Sequence, residues 1–587
     1  MQKTPVIDIF AGAGGLSEGF GGYSTPELSF DIRLSIEKEA YACDTLRMRS
    51  LFRKSKDSRV PELYYDAIKG DRYALERIRM TTVWNAAADH VRNWTLGRID
   101  PRIVHATIRE KIGGRRDWVL LGGPPCQTYS IIGRLRRTGL GSQFSDEKLR
   151  EEHRRQLEEV FATDHRHTLY RQYLEIVAIH QPAIFVMENV KGILSARLPI
   201  GRGRRGELLY EPVIERIMAD LRDPRRALQR DKSISPQRGF AAGGMKYRLM
   251  SFVNPAGPSG ECENPAEFVI ECEKYSIPQT RHRVIILGVR EDLDTTELEI
   301  LRERKNQLPA KTLLKGLPRI RSSLSAASET RREYGRDSQE SWQCAMKDAL
   351  PKSAYSRLDN KTKRKIVQIL DRKSTALSSG GPFVEGPTDP KDAPPVLRKF
   401  IRDIRLGGAI QHESRSHMAS DLGRYLYSAA LASTTGLSPR IEEWPQELLP
   451  AHRNVRVTRK RSKTVVDGFR DRFRVQVWDK PASTIMSHNS KDGHYIIHPD
   501  PAQCRSLTVR ETARLQTFPD NYYFSGSRTE QYLQVGNAVP PFLALQLARV
   551  VAKLLEVNGA ALTSERMKTF NRSGRAPLAI KYAASMR

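Results

Sequence analysis

Cysteine is scarce in this chain, with six residues among 587, and no two of them form a Cys-x-x-Cys pair. So sparse a set excludes a disulfide framework and argues against a structural zinc site. We therefore expect a cytoplasmic protein with reduced thiols and no bound metal. In such a protein, a cysteine held in a special loop is a candidate nucleophile.

Long apolar runs are also missing. No stretch approaches the roughly 18 consecutive apolar residues that a membrane helix needs. The first residues, 1–10, lead directly into a predicted strand, without the charged, apolar and cleavage regions of a secretory signal. We therefore expect neither secretion nor a membrane partner.

Acidic residues are too few to balance the basic ones. Lys and Arg number 97 against 68 Asp and Glu, which gives a formal net charge of +29. Such an excess predicts a polyanionic partner, most simply nucleic acid. Apolar residues make up 39% of the chain and charged residues 28%, which is typical of a folded protein, and the length suffices for two or three domains.

The first 300 residues alternate short β-branched runs with longer helical patterns. This alternation predicts an α/β fold with a doubly wound, mostly parallel sheet. Predicted strands cover 6–10, 33–36, 118–121, 183–187 and 283–288. From about 300 onward the periodicity weakens and the composition turns basic, which indicates a second, smaller domain that faces nucleic acid.

Residues with chemical potential lie close to the ends of these predicted strands, where open α/β sheets bind their ligands. Glycines in the segment Asp8–Leu16 leave backbone N–H groups open to a ligand. Because Ser17 stands at the last position of a G-x-G-x-x-G fingerprint, hydride transfer is disfavoured. Glu37 after the second strand could accept two ribose hydroxyls, or it could be an ordinary exposed glutamate at a helix start.

The segment Gly122–Ser130 is a far more specific signal. Cys126 follows two prolines at a predicted strand end, so it sits in a rigid loop with restricted rotation. Structural cysteines prefer the interiors of strands and helices, whereas a thiolate in an accessible loop can act as a nucleophile. We therefore interpret Cys126 as the nucleophile of a covalent mechanism.

Taken together, these segments resemble the DNA (cytosine-5)-methyltransferase family. The cofactor loop of the family resembles Asp8–Phe20, and its Pro-Cys nucleophile loop resembles Pro124–Ser130. Further elements follow in the order of the family: a Glu-Asn-Val element at 188–190, a Gln-x-Arg-x-Arg element at 279–283, and two C-terminal elements at 505–520 and 534–540.

The resemblance implies a class I S-adenosylmethionine-dependent methyltransferase fold, which is Rossmann-like, with a smaller basic target-recognition domain. We accordingly divide the chain into a catalytic and cofactor-binding domain (1–300), a target-recognition domain (301–480), C-terminal elements that return to the catalytic domain (481–560), and a basic tail expected to be poorly ordered (561–587).

The resemblance also implies catalytic roles. The Cys126 thiolate would add to carbon 6 of cytosine, and Glu188 would hydrogen-bond the ring N3 and the exocyclic amine. Arg281 and Arg283 would contact the base oxygen and the phosphates around the flipped nucleotide. Two structural alternatives stay open: Glu188 as a satisfied carboxylate at a strand end, and Arg281 as a solvated or backbone-pairing arginine.

The implied cofactor is S-adenosylmethionine, which leaves as S-adenosylhomocysteine, and no metal is implied. Asp100 is the candidate for holding the adenine amino group. The cofactor site is expected to contain Phe10, Gly12, Gly14, Leu16, Glu37, Asp100, Asn537 and Val539. The residues expected to contact nucleic acid are Gln127, Ser130, Arg459, Lys460, Arg461 and Arg472.

These inferences predict an enzyme that methylates carbon 5 of cytosine in a specific sequence of duplex DNA, as part of a prokaryotic restriction-modification or phage-defence system. We expect double-stranded DNA as the partner, a monomer on DNA, and a cognate restriction or defence complex as a further candidate partner. Two alternatives remain: a transfer RNA cytosine-5 methyltransferase, against which the long basic segment argues, and a non-catalytic DNA-binding relative.

Overall fold

The computed structural model describes residues 2–54, 60–125, 167–202, 208–230, 244–371, 376–450, 456–460, 463–467, 472–491, 493–559 and 562. The strands are β1 (Gln2–Ile9), β2 (Leu28–Glu37), β3 (Val91–Asn93), β4 (Val119–Gly122), β5 (Ile184–Val190), β6 (Arg197–Arg202), β7 (Leu208–Pro212), β8 (Tyr247–Met250), β9 (Val269–Glu271), β10 (Gln279–Thr280), β11 (His282–Arg290), β12 (Ser323–Leu324), β13 (Gly380–Glu385), β14 (Gly408–Glu413), β15 (Ser416–His417), β16 (Arg456–Lys460), β17 (Lys463–Asp467) and β18 (Ala482–Ser483).

The helices that belong to the described residues are numbered in the same way. They are α1 (Gly15–Gly22), α2 (Ala40–Lys54), α3 (Val60–Lys69), α4 (Arg72–Arg79), α5 (Thr82–Asp89), α6 (Pro101–Ile112), α7 (His167–His180), α8 (Val213–Arg222), α9 (Pro224–Arg230), α10 (Lys311–Leu314), α11 (Ser328–Tyr334), α12 (Gln339–Asp348), α13 (Lys352–Ser356), α14 (Asn360–Leu370), α15 (Pro395–Ile401), α16 (Ala419–Thr435), α17 (Val509–Leu515), α18 (Arg528–Asn537) and α19 (Pro541–Val557).

The main sheet has eight strands in the order β3-β2-β1-β4-β5-β11-β8, with β9 paired to β11. Strands β1 to β5 pair in parallel, whereas β11 runs antiparallel to β5, β8 and β9. The predicted doubly wound, mostly parallel sheet is therefore confirmed. The chain winds outward in opposite directions from β1 and β4, so a crevice forms at their carboxyl ends.

The central strands are buried on both faces. Along β1, Val6 packs into one apolar core together with α1 and α19, and its neighbour Ile7 packs into a second core with α6 and α7. This explains why the strands read as continuous apolar runs in the sequence. Strand β5 extends to Val190, so Glu188 lies inside the strand and not beyond its end.

The C-terminal helix α19 packs on α1 through glycines. A Cβ atom at Gly15 would overlap the Val539 carbonyl, and one at Gly19 would overlap the Ala544 and Leu545 backbone. The described stretch Arg528–Val557 is long and apolar enough to cross a membrane by length and composition, but 78% of its apolar window is buried inside the protein. The C-terminal segment thus forms part of the core of the first domain.

The basic region has its own apolar core, centred on α12 and α16, which includes Trp342, Leu422 and Tyr425. It is not a separate body between residues 301 and 480, however. Leu313 and the helix α15 pack into the same core as β1 and α19. The core therefore has no break at the division expected at residue 300, because the chain returns to the first domain within the basic region.

Helix α17 joins the two regions, and the three arginines in and before it are fully buried. Arg505 forms two hydrogen bonds with Glu511 at 2.6 and 2.7 Å, and Arg514 forms two with Asp520 at 2.7 and 2.8 Å. Arg510 donates to three backbone carbonyls, one of them that of Ile410 in β14. Each buried charge is therefore compensated by acceptors from its surroundings.

We expect the substitution Gly19→Ala to lower the free energy of unfolding by about 1–3 kcal/mol, because the added methyl group meets backbone that cannot rotate away. Gly22→Ala in the same helix is the matched control, since its Cβ would lie 3.4 Å from the nearest atom, in the Phe400 ring. The thermal unfolding midpoint measures both. Equal midpoints for the two variants would contradict the close packing of α1 on α19.

Candidate functional site

A cavity of about 540 Å³ opens at the carboxyl ends of β1, β2, β4 and β5. Its volume is typical of a site for a small molecule or cofactor. Segments from both ends of the chain form its walls, which include Phe10, Gly12, Leu16, Glu37, Pro124, Pro125, Glu188, Asn537 and Val539. Residues that sequence analysis assigned to the cofactor and to catalysis thus line one cavity.

The loop after β1 has a constrained backbone. Phe10 and Gly12 both have a φ of 55°, a conformation that costs energy for phenylalanine but not for glycine. The Gly12 N–H donates to Glu37 Oε2 at 2.8 Å. Glu37 Oε1 accepts from the Lys38 and Glu39 N–H groups at 2.8 and 2.9 Å. Glu37 therefore fixes two loops, and its carboxylate keeps lone pairs for a ligand.

Three more predicted cofactor residues lie around the same loop. Leu16 lines the cavity, as do Asn537 at the end of α18 and Val539 after it. Gly14 faces the packed side, because a Cβ there would lie 2.7 Å from Leu46 Cδ2 and 3.0 Å from the Tyr522 hydroxyl. Its φ of 77° lets the chain enter α1.

Asp100 does not lie where the sequence analysis expected it. It caps the N-terminus of α6 and accepts a hydrogen bond from the Arg102 N–H at 2.9 Å, and it is not among the described residues that line the cavity. Trp94, Thr95 and Leu96 line the cavity instead, directly after β3. The sequence analysis did not predict β3, because Val91 is its only apolar residue.

Asp8 at the end of β1 also lines the cavity, and sequence analysis did not single it out. Its side chain is 1% exposed, and its Oδ2 atom has no hydrogen-bond partner among the described residues. Buried polar atoms are almost always satisfied in folded proteins. An unsatisfied acceptor in a cavity wall therefore indicates a place for a donor from a ligand.

On the opposite wall, Glu188 forms an ion pair with Arg283, with 2.9 Å between Oε1 and Nε. Both side chains are largely buried. Gly123 allows this carboxylate to approach, since a Cβ there would lie 2.8 Å from Glu188 Oε2. Asn189 Nδ2 donates to the Pro124 carbonyl at 3.1 Å and so ties β5 to the Pro-Pro loop. Cys126, Gln127 and Ser130, which follow this loop, lie outside the described residues.

Arg281 has a different place from the one expected for a base contact. It is fully buried and donates to the carbonyls of Ile485, Gly536 and Ala538 at 2.9–3.0 Å. Burial, together with the nearby charge of Arg283, lowers its pKa to about 9. Of the two alternatives, the geometry favours the backbone-pairing arginine, which clasps the C-terminal segment onto β10.

Two of the residues expected to contact nucleic acid lie on a described strand of the basic region. Arg459 and Lys460 end β16, which pairs with β17 in a hairpin. Arg461 lies outside the described residues, as does the tail from 563 to 587. Arg472 lines a second cavity of about 240 Å³ at the junction with the first domain. Within the described ranges, no group of three or more His, Cys, Asp or Glu could hold a metal ion.

The chain is similar in sequence to known methyltransferases. The type II methyltransferase M.Bpa9945I of Bacillus paralicheniformis is 28% identical over 572 residues, which cover 94% of this chain and 99% of that protein. The DNA (cytosine-5-)-methyltransferase M.ApeKI of Aeropyrum pernix is 24% identical over 75% of this chain and 81% of its own length. The solved structure of the Schizosaccharomyces pombe Dnmt2 methyltransferase is 10% identical, covers 94% of this chain and 99% of its own, and has a TM-score of 0.34.

The family model for C-5 cytosine-specific DNA methylases matches residues 59–199 and 267–553. These ranges make up more than half of the chain. They contain Glu188, Arg283 and Asn537, which line or border the large cavity. The chain therefore belongs to the C-5 cytosine-specific DNA methylase family.

Proposed function

We propose that the protein transfers a methyl group from S-adenosylmethionine to carbon 5 of a flipped-out cytosine in a specific sequence of duplex DNA, through a covalent adduct of Cys126 at carbon 6. The observation that carries the proposal is the single cavity. The loops after β1 and β2, joined by the hydrogen bond from Gly12 to Glu37, form one wall. The Glu188–Arg283 ion pair and the Pro-Pro loop lie at the other wall.

The residues in the cavity suit the cofactor. Glu37 keeps acceptor capacity at Oε2 for a ribose hydroxyl, Trp94 offers an aromatic face for the adenine, and Asp8 offers an acceptor for the amino group of the methionine part. Burial raises the pKa of Asp8 to about 7, and the negative charge of Glu37 adds to this increase. A hydrogen bond from Ser17 lowers the pKa and offsets part of the effect of burial. When bound, S-adenosylmethionine would supply the methyl group.

The chemistry of the base would rest on three side chains. Cytosine carbon 5 is too weak a nucleophile unaided, and the addition of the Cys126 thiolate at carbon 6 would activate it. Glu188 would hydrogen-bond the ring N3 and the exocyclic amine as charge develops there. Arg283 would hold Glu188 in place and favour the thiolate through its positive charge. Arg281 would act as a positioning residue, through the C-terminal segment that it clasps.

A base inside stacked duplex is out of reach of the cavity, so it must be extruded at a cost of a few kcal/mol. Contacts between phosphates and the basic region would offset this cost and make binding depend steeply on salt. Because the curated relatives are named type II methyltransferases, we propose that the protein is the modification enzyme of a restriction-modification system in a prokaryotic cytoplasm, and that it acts as a monomer on duplex DNA.

The covalent step is tested with a duplex that contains 5-fluorocytosine, which blocks release of the adduct. Its sequence comes from bisulfite sequencing of DNA from a methylation-free host that expresses the protein. We expect wild-type protein and Cys344→Ala, which changes an exposed cysteine, to remain bound on a denaturing gel. Cys126→Ala should bind the duplex without an adduct. Trapping on a transfer RNA substrate but on no duplex would overturn the proposal.

We expect Glu188→Gln to lower kcat by about 10²–10⁴-fold, the usual contribution of a positioned acid or base. The affinity for S-adenosylmethionine should change little, because Glu188 is assigned to the base and not to the cofactor. Methyl transfer to duplex DNA measures kcat. Glu211→Gln, in a surface ion pair with Arg216, is the control, and equal rates for the two variants would remove Glu188 from the mechanism.

Asp8 makes the stability of the ligand-free protein depend on pH. Its pKa of about 7 in the folded state lies above the ordinary value of 3.8 for an aspartate, so between these pH values the unfolded chain releases a proton that the folded protein keeps. Stability attributable to Asp8 therefore falls as pH rises from about 4 to about 7. Asp8→Asn should remove this pH-dependent fall of roughly 4 kcal/mol, whereas the exposed control Asp66→Asn should leave it in place. Parallel pH curves for wild type and Asp8→Asn would contradict the shift.

A further inference from the structure

The second cavity lies where the basic region meets the first domain. Its volume is about 240 Å³, and its walls include Thr280 of β10, Ser483 of β18 and the segment from Arg472 to Val477. Strands β10 and β18 pair in parallel, so residues distant in sequence meet on one side of the cavity. The cavity is separate from the large one, with which it shares no lining residue.

The charge of this cavity is positive. Arg440, Arg472, Arg474 and Lys480 line it, and no Asp or Glu is among its described lining residues. Arg440, Arg474 and Lys480 form no ion pair with a carboxylate in the part of the chain that the structure describes, whereas Arg505 and Arg514 are both paired with carboxylates. Such a cluster repels itself in the absence of a ligand and is stabilised by an anion.

The local backbone is arranged to present these charges together. Phe473 has a φ of 59°, which is costly for a non-glycine residue. Its ring is buried and stacks on His494, with 4.3 Å between the centroids. The anchored ring therefore holds the turn in place, and the residues on its two sides, Arg472 and Arg474, both reach the cavity wall.

Neutral hydrogen-bonding groups complete the walls. Gln476 donates to the Ser483 hydroxyl at 3.0 Å, and Ser438 and Thr280 bring further hydroxyls to the lining. Arginines in combination with hydroxyls and amides are typical of phosphate sites in proteins that bind DNA. The basic hairpin of β16 and β17 packs beside the cavity, through contacts between β17 and residues 441–443.

The cavity also lies close to the proposed reaction. Thr280 in its wall is three residues from Arg283, the partner of Glu188. Three residues span at most about 10 Å even when fully extended. The wall at Thr280 therefore lies within about 10 Å of the Arg283 backbone, so an anion bound there would lie near a base held at Glu188.

We propose that this cavity binds a backbone phosphate of the DNA next to the target cytosine, and so fixes the strand while the base is extruded. The proposal rests on the proposed function, because it takes duplex DNA as the ligand. Arg440 and Arg474 neutralise the phosphate, and the anchored Phe473 turn keeps this arrangement in place before DNA binds.

The test is the double variant Arg440→Gln/Arg474→Gln. Its Kd for an unmethylated duplex that carries the target sequence is measured by fluorescence anisotropy in the presence of S-adenosylhomocysteine. Its matched control is Arg364→Gln/Lys365→Gln, which removes the same charge from an exposed face of α14. We expect the double variant to raise Kd about tenfold at low salt. The slope of log Kd against log salt should become shallower by about 1, the value for one lost phosphate contact.

The control should keep the wild-type slope, and both variants should keep the thermal midpoint and cofactor affinity of the wild type. Equal slopes for the two double variants would mean that only overall charge matters, and this would overturn the phosphate site. The 5-fluorocytosine trap, run with the same proteins, separates the proposals. If wild type traps the duplex but Arg440→Gln/Arg474→Gln leaves the salt slope unchanged, the proposal of a phosphate site is wrong and the proposed function stands.

Discussion

The structure depends on a set of arginines buried where the basic region, the first domain and the C-terminal segment meet. Arg505 and Arg514 are paired with carboxylates, and Arg510 is satisfied by carbonyls alone. The charge of Arg505, with that of His498, holds the pKa of Glu511 well below its usual range although burial raises it. Removing one member of such a set leaves a buried charge uncompensated, which costs about 3–5 kcal/mol. The two regions therefore cannot separate without exposing or orphaning these charges.

This constraint explains how one cavity can combine distant parts of the chain. Arg281 applies the same principle nearer to the site, because its guanidinium holds the carbonyls on either side of Asn537. With the C-terminal segment fixed in this way, Asn537 and Val539 line the cavity beside the glycine loop. The close approach at Gly15 and Gly19 seals the same junction by packing. Electrostatic pairing and shape thus fix one arrangement of the site.

The arginines of the second cavity, proposed to bind a phosphate, differ from the buried set in that no carboxylate compensates their charge. At the junction formed by α17, arginines meet carboxylates and carbonyls and need no ligand. At the second cavity, Arg440 and Arg474 share the lining with hydroxyl and amide side chains and with no carboxylate among the described lining residues. Proteins that bind nucleic acid leave positive groups uncompensated where a phosphate will lie, because the release of counterions then favours binding. The contrast between the two clusters separates the arginines that stabilise the fold from those available to a partner.

The sequence by itself determined the type of sheet, the order of the motifs, and the positions of Phe10 and Glu37 at strand ends, because apolar periodicity and glycine or proline punctuation are local signals. It could not determine the role of Arg281, since an arginine in a motif reads the same whether its partner is a phosphate or a carbonyl some 200 residues away. It also placed Asp100 in the cofactor site, whereas Trp94 lines the cavity, because a three-residue strand leaves too weak a pattern to locate. Only the tertiary structure decided these points and the extent of the basic domain, since each depends on contacts between segments far apart in the chain.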